Sequence, residues 1–394
     1  MSYKYGSSLF LGETLGGQPN PVFFDIHTPI ANNSPATALI TGASGSGKSY
    51  MFMDLVALSA VLGKACVVLD PKGDSLGINL IAKDLGNLKF WNLSGRGQSG
   101  ILDPFQMPID DESNRLELIL SSIEMFTGGI SDDQRTILGA IVQDVMQEQV
   151  PSLLRVVEVM TMHREQIVRN LGSRLSLISK MKFAKLCFAP GRKGFSPIDL
   201  NNGVTIVTMP GMNLPTDMNH ELNNQERIAS TIFFLITSMI NGMLYSADRT
   251  VRKVLFIDEA WAVLSTEPGV KVVKSVSLLG RAKNMALVLA TQNSSHLDVV
   301  DIDNSISTRF AFRTDYKEAS AIARAMNLPT GQGFEQILVN LKQGQCLMEE
   351  NTEGRSRYAT MTAVVTSPKW HDAFQTNPME RMKRDKKLRE QKGM

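Results

Sequence analysis

Short runs of unbroken apolar residues alternate along this chain with longer stretches whose apolar residues recur at helical spacing. Ala38 to Thr41, Cys66 to Leu69, Val204 to Met209, Val254 to Ile257 and Ala286 to Ala290 are rich in aliphatic and β-branched side chains. None alternates with polar residues, so the pattern predicts parallel strands covered on both faces rather than strands with one wet face. Lys48 to Leu62 reads as the helix that follows the first strand.

The middle of the chain breaks this rhythm, for Asn114 to Leu186 contains no strand run. Ser131 and Gln134 make a capping box, with Asp132 and Asp133 in the first turn. Behind them Ile137, Leu138, Ile141, Val142 and Val145 fall on one helical face. Pro151 and Ser152 start another helix, and Ile167, Val168, Leu171, Leu175 and Ile178 stripe a third. These patterns predict a small all-α subdomain, 106–200, inserted between two parts of a sheet domain, 1–105 and 201–368. The remaining 369–394 reads as a basic C-terminal helix or tail. From Ile228 to Ala247 no charge intervenes, but Ser230, Thr231, Thr237, Ser238, Asn241, Gly242 and Ser246 make this segment too polar for a good spanning helix. A helix buried in an α/β domain is expected.

Charge changes the picture little. Forty-one Lys and Arg against 39 Asp and Glu leave a net charge of +2, which gives no general attraction to nucleic acid or anionic membrane. The last 26 residues differ, with eight basic residues against four acidic ones. Cys66, Cys187 and Cys346 lie far apart and form no C-x-x-C pair, as expected of buried thiols in a reducing cytoplasm. The five histidines show no ligand spacing, which argues against a zinc site.

The strongest chemical signal is Gly42-Ala43-Ser44-Gly45-Ser46-Gly47-Lys48-Ser49, which satisfies G-x-x-x-x-G-K-[ST] between a predicted strand and a predicted helix. Backbone N–H groups in such a loop curl around phosphates, and the helix start adds its positive dipole end. Gly42, Ser44, Gly45, Ser46, Gly47, Lys48, Ser49 and Tyr50 are the expected binding residues for ATP. Lys48 would neutralise the β and γ oxygens, and Ser49 would ligate Mg2+. The expected fold class is therefore α/β, a RecA-like P-loop NTPase with a mainly parallel, doubly wound sheet.

A second apolar strand, Val254 to Ile257, delivers the adjacent carboxylates Asp258 and Glu259. Strand ends face the phosphate loop in such folds, so Asp258 is assigned to Mg2+ and Glu259 to the general base. A third strand ends in Thr291 and Gln292, whose amide suits the γ-phosphate or the attacking water. Arg281, Arg309 and Arg313 flank that strand, and one of them is expected to reach a neighbouring subunit's γ-phosphate. Taken singly, each is an ordinary ion-pairing residue. Asp70-Pro71-Lys72-Gly73-Asp74 follows the second strand, where a Pro-x-Gly turn and a role near the phosphates are both open readings. Gly95 to Gly100 matches G-x-G-x-x-G, but Pro104 follows and no helix opens, so it reads as a surface loop.

In this order the motifs resemble those of the VirB4 ATPases of type IV secretion systems, within the FtsK/HerA superfamily. The resemblance runs from Leu11-Gly12 and Val22 to Asp25 through Asp70 to Asp74, Asp103-Pro104-Phe105, Phe256 to Trp261 and Arg281 to Asn284, ending at Thr291-Gln292. It implies an ATPase that powers channel assembly or substrate movement. It also implies self-association, as a hexamer for instance, and contacts with inner-membrane channel subunits at the inner face of the cell membrane. The coupling protein and DNA are further implied partners, reached through the basic tail, Arg381 to Lys392. Because the phosphate loop begins at Gly42, the chain is expected to be the C-terminal ATPase half of a longer protein. Two alternatives stay open: a DNA-translocating motor, separable by DNA-stimulated turnover, and an ATP-binding scaffold with little turnover.

Overall fold

The computed structural model describes residues 8–94, 99–107, 109, 111–190, 203–215, 221–246, 248–264, 266–292, 305–352, 355–364 and 367–374. Gly95 to Gln98 of the glycine-rich loop and the tail from 375 onward lie outside these residues.

Among the described residues eleven strands form one sheet: β1 (Leu9–Thr14), β2 (Pro21–Phe24), β3 (Thr37–Thr41), β4 (Ala65–Asp70), β5 (Leu88–Asn92), β6 (Val204–Thr208), β7 (Lys253–Ile257), β8 (Met285–Thr291), β9 (Ile306–Phe312), β10 (Gln345–Thr352) and β11 (Arg355–Ala363). Their order is β2-β1-β11-β10-β9-β3-β8-β7-β4-β6-β5. Neighbours from β9 to β5 run parallel, while β10, β11, β1 and β2 extend the sheet antiparallel. The expected α/β class is borne out, and the five apolar runs are β3, β4, β6, β7 and β8. Every residue of these five strands is buried. Their side chains alternate between two cores, as the strand period of two requires. Ala38, Ile40, Val68, Phe256 and Val288 enter one; Leu39, Val67, Leu69, Leu255 and Leu287 enter the other.

Helix α1 (Lys48–Val61) covers the first of these faces. The second is covered by α2 (Glu112–Thr127), α3 (Asp132–Met146), α4 (Leu153–Thr161), α5 (Gln166–Ile178), α6 (Asn224–Ser246) and α7 (Glu267–Leu279), whose apolar residues join its core. Caps written in the sequence start these helices. Asp111 accepts from the N–H of Asn114, Ser152 from that of Arg155, and Ser131 with Gln134 forms the reciprocal box. In α6 the uncharged segment is a core helix, with Ile232, Phe233, Ile236 and Ile240 fully buried. No helix among the described residues is long and apolar enough to cross a membrane. Helices α8 (Tyr316–Ala325) and α9 (Phe334–Asn340) form a third cluster with Ala311 and Leu347. Helix α10 (Pro368–Phe374) lays Trp370 and Phe374 into the α1 side.

Two buried charges invite measurement. Arg309 of β9 donates from Nη1 to Glu349 Oε2 of β10 at 3.0 Å, and Glu349 also accepts from Ser356 and Tyr358. Both members of the pair are buried. Removing one partner strands the other charge, so Arg309→Met is expected to lower stability by about 3–5 kcal/mol. Arg309→Met with Glu349→Leu should recover most of that loss in urea denaturation. On α1, Asp54 is buried, its Oδ1 has no hydrogen-bond partner among the described residues, and burial raises its pKa to about 7. The native state therefore holds a proton that the unfolded carboxyl releases near pH 4, and stability falls as pH rises from about 4 to about 7. Asp54→Asn is expected to be more stable than the parent at pH 8, by on the order of 2–4 kcal/mol, and equal to it below pH 4. Paired denaturation curves across pH check this.

Candidate active site

The carboxyl ends of β3, β8, β7 and β4 reach the same level because the strands are in register. Thr41 stands beside Thr291, Ile257 beside Leu289, and Leu69 beside Ile257. The segments at these strand ends are therefore brought together: the phosphate loop after β3, Asp258-Glu259 after β7, Gln292 after β8 and Asp70 to Asp74 at the end of β4. Their side chains line a cavity of about 580 Å3 with Ala43, Ser44, Gly45, Gly47, Lys48, Ser49, Tyr50, Lys72, Asp74, Glu259 and Gln292 among its walls.

The loop is buttressed from outside its own segment. Ala43 N–H donates to the Arg313 carbonyl after β9, and the Gly344 N–H before β10 donates to the Ser46 carbonyl, at 2.9 and 2.8 Å. Gly42 has a φ of +151°, and a Cβ there would lie 2.6 Å from Phe312 Cβ and 2.8 Å from Ser46 Oγ. Only glycine lets the chain enter the loop at this point. Gly47, with a φ of +111°, immediately precedes α1. Ser44 and Gly45 are exposed at the loop tip. The Ser46 hydroxyl is buried without a hydrogen-bond partner among the described residues, and a phosphate oxygen would satisfy it. Ser49 is half-buried in the first turn of α1 and Lys48 is buried beside it.

Glu259 is the meeting point of the charged groups. Its Oε1 accepts from Lys72 Nζ at 2.7 Å and from Gln292 Nε2 at 3.0 Å, while Lys48 Nζ lies 3.9 Å from the same oxygen. Oε2 accepts from the Trp261 indole at 2.7 Å. Burial alone would raise this carboxyl's pKa, but the Lys72 hydrogen bond, the Lys48 charge and the Gln292 amide outweigh it and hold the group below its ordinary range. Its backbone is left-handed, with a φ of +50°, a conformation that costs a non-glycine residue and that collects at functional sites. Asp258 beside it moves the other way. Burial pushes it to about 7, against the pull of Lys48 and with Asp70 and Glu259 adding to the rise. A buried carboxylate of this kind next to a phosphate loop fits a divalent cation, which would restore its charged form. Asp70 is engaged locally, since Oδ1 accepts the N–H groups of Lys72 and Gly73, and Oδ2 accepts from Ser75 N and Oγ.

The three arginines separate. Arg313 is exposed and directly follows β9 at the phosphate edge. Arg309 does not reach that edge: it is the middle residue of β9, three before its end and level with Leu39, and is committed to Glu349. Arg281 precedes β8, at the opposite edge of the sheet, where its guanidinium donates to the Asn33 carbonyl. Burial in the Glu349 pair thus corrects the assignment of Arg309, while Arg281 is exposed but far from this chain's own phosphate loop. Tyr50 lines the cavity, but its ring packs edge-on against His371 and Phe374 of α10, and its hydroxyl is buried without a partner among the described residues. Its side chain is packing for that wall.

Several wall residues carry no sequence signal of their own. Gln343, Gly344, Ala363, His371 and Phe374 come from the antiparallel extension and α10, far along the chain from any recognisable motif. Lys72 and Trp261 lie within motifs; Trp261 meets Glu259 locally, two residues on, whereas the meeting of Lys72 with Glu259 depends on how β4 and β7 pair.

Comparisons with known proteins bear on the family and the fold. A family model described as an AAA-like domain matches residues 27–374. The uncharacterized protein YddE of Bacillus subtilis (strain 168) is 24% identical over 363 residues, which are 86% of this chain and 42% of that protein. The chain thus spans less than half the length of that relative. Among solved structures, VirB4 of Thermoanaerobacter pseudethanolicus has a TM-score of 0.69 at 17% identity, covering 93% of this chain and 99% of that one. The plasmid coupling protein TrwB in complex with ADP and Mg2+ has a TM-score of 0.56 at 15% identity, covering 86% and 89%. At these identities the likeness is one of fold.

Gly42→Ala is the local test of the loop. The added methyl must displace Phe312 or the loop itself, so nucleotide affinity is expected to fall at least about tenfold, the energy of one lost charge-assisted hydrogen bond. Titration calorimetry with ADP checks it.

Proposed function

The chain belongs to the AAA-like domain family, and from that premise we propose that it is a Mg-ATP hydrolysing motor of the VirB4 kind, powering type IV secretion channel assembly or substrate movement. One observation carries the reading: Lys48 and Glu259 stand beside one another, with Gln292 on the same carboxylate oxygen, in a cavity whose floor is the phosphate loop. The fold likeness to VirB4 over nearly the whole chain supports the choice of motor. The TrwB structure in complex with ADP and Mg2+ supports the ligand.

In this reading the loop N–H groups and Lys48 bind the phosphates. Magnesium, which neutralises phosphate charge when bound, would be held by Ser49 and Asp258. Glu259 takes the proton of the attacking water, and Gln292 orients that water. Arg313 is the candidate to reach a neighbouring copy's γ-phosphate, within a homo-oligomer such as a hexamer. Helices α2 to α5 act as an inserted all-α subdomain. The channel subunits, coupling protein and DNA belong to this proposal as partners. So does placement at the inner face of the cell membrane.

Three substitutions test it. Lys48→Ala should abolish tight nucleotide binding. Glu259→Gln should bind ATP and lose turnover by about 10²-fold or more, since shape is kept while the base is lost. Arg313→Ala should cost about 10³ in rate with little change in affinity, and wild-type activity per subunit should rise with protein concentration. Mixing Arg313→Ala with Glu259→Gln subunits should restore activity. Turnover independent of dilution, with Arg313→Ala near wild type, would refute action in trans.

A further inference from the structure

The donors around Glu259 crowd one of its two oxygens. An ionised carboxylate oxygen offers about two lone-pair sites, and those of Oε1 are taken by Lys72 and Gln292. Trp261 occupies one site on Oε2. Lys48 adds a second ammonium within 3.9 Å of Oε1. Two cations therefore flank one acidic oxygen, an arrangement that suits the arrival of further negative charge.

Lys72 differs from the other donors in how it is held. Its backbone is pinned in the turn after β4, where Asp70 Oδ1 accepts the N–H groups of Lys72 and Gly73 at 3.1 and 2.8 Å. Its side chain is 44% exposed and reaches Glu259 only through the ammonium at its tip. A four-carbon stem on a fixed backbone swings its charge through several ångströms at little cost. Lys48, by contrast, is 4% exposed within the first turn of α1. Lys72 shares its cavity with Glu259, Asp74 and Lys48, so a ligand beside Lys48 comes within its reach.

We propose that Lys72 is a second phosphate-reading lysine, whose ammonium passes from Glu259 Oε1 to the terminal phosphate of a bound nucleoside triphosphate. The move makes one ion pair at the expense of another, and breaks and forms no covalent bond. It frees a lone pair of Oε1 for water only when the third phosphate is present, so a diphosphate leaves the base engaged. This makes Lys72 a catalytic residue that couples recognition of the γ-phosphate to release of Glu259. The inference rests on the proposed nucleotide site for where the phosphates lie, but not on turnover.

The test compares affinity for two ligands in the full chain with Mg2+ present: ADP and a non-hydrolysable ATP analogue, by titration calorimetry, for wild type, Lys72→Met and Lys72→Arg. Lys72→Met is expected to weaken the triphosphate analogue about tenfold or more and ADP by less than about twofold. Lys72→Arg should restore most of the difference, because it keeps the charge. Lys72→Met takes one partner from the buried Glu259, so ADP affinity is the folding control: near-wild-type ADP binding by the variants separates the effect from misfolding. Equal weakening of both ligands, or no change in their ratio, overturns the assignment. A wild type that binds both but releases no phosphate would sink the ATPase reading while the ratio still decides Lys72. A wild type that binds neither overturns both.

Discussion

Everything at the phosphate edge depends on strands that end level. A buried carboxylate is tolerable here because Lys72 meets it at 2.7 Å and Lys48 stands 3.9 Å away, since a buried charge left unpaired costs several kcal/mol. Parallel register supplies that alignment. With Leu39, Leu289, Ile257 and Leu69 brought to one level, the short segments beyond them bring Lys48, Gln292 and Glu259 together without long loops. The helices that bury both faces of the sheet also lower the local dielectric, which strengthens each of these attractions. A single-residue slip of β7 against β4 would carry Glu259 away from Lys72 and turn its side chains to the opposite face.

Much of this was legible in the sequence, and the reason is physical. Strands covered on both faces must be apolar throughout, so β3, β4, β6, β7 and β8 announced themselves, and the phosphate loop and Asp258-Glu259 followed at their ends. The helix caps at Ser131 and Ser152 were equally plain. The strands flanking this parallel core were not. In β5, Lys89 and Asn92 interrupt the apolar run, and most of its residues are only half-buried. In β10, Glu349-Glu350 reads as surface, yet Glu349 is fully buried because Arg309 meets it from the neighbouring strand. Spacing along one strand cannot reveal a partner on another. The same blindness assigned Arg309 a reach it does not have. It also hid the pairing of Lys72 with Glu259, which are 187 residues apart in sequence.

The antiparallel extension does more than widen the sheet. Through Gly344 and Arg313 it holds the phosphate loop from the side opposite β8, and through the Arg309 pair it is tied into the parallel half. Tyr358 adds a bond from β11 to the Met326 carbonyl at the end of α8. The loop that binds phosphate is therefore clamped between two chemically different regions, one apolar and parallel, the other crossed by a buried ion pair.

The strand that ends this extension has a consequence for life in a crowded cell. A broad sheet exposes a ribbon of unmet amide groups at its rim, and such rims recruit foreign strands into aggregates. Here β2 is four residues long and opens with Pro21, which has no N–H to offer. A passing strand finds too few donors in line to zip onto. That rim of the sheet is therefore closed to runaway β-stacking.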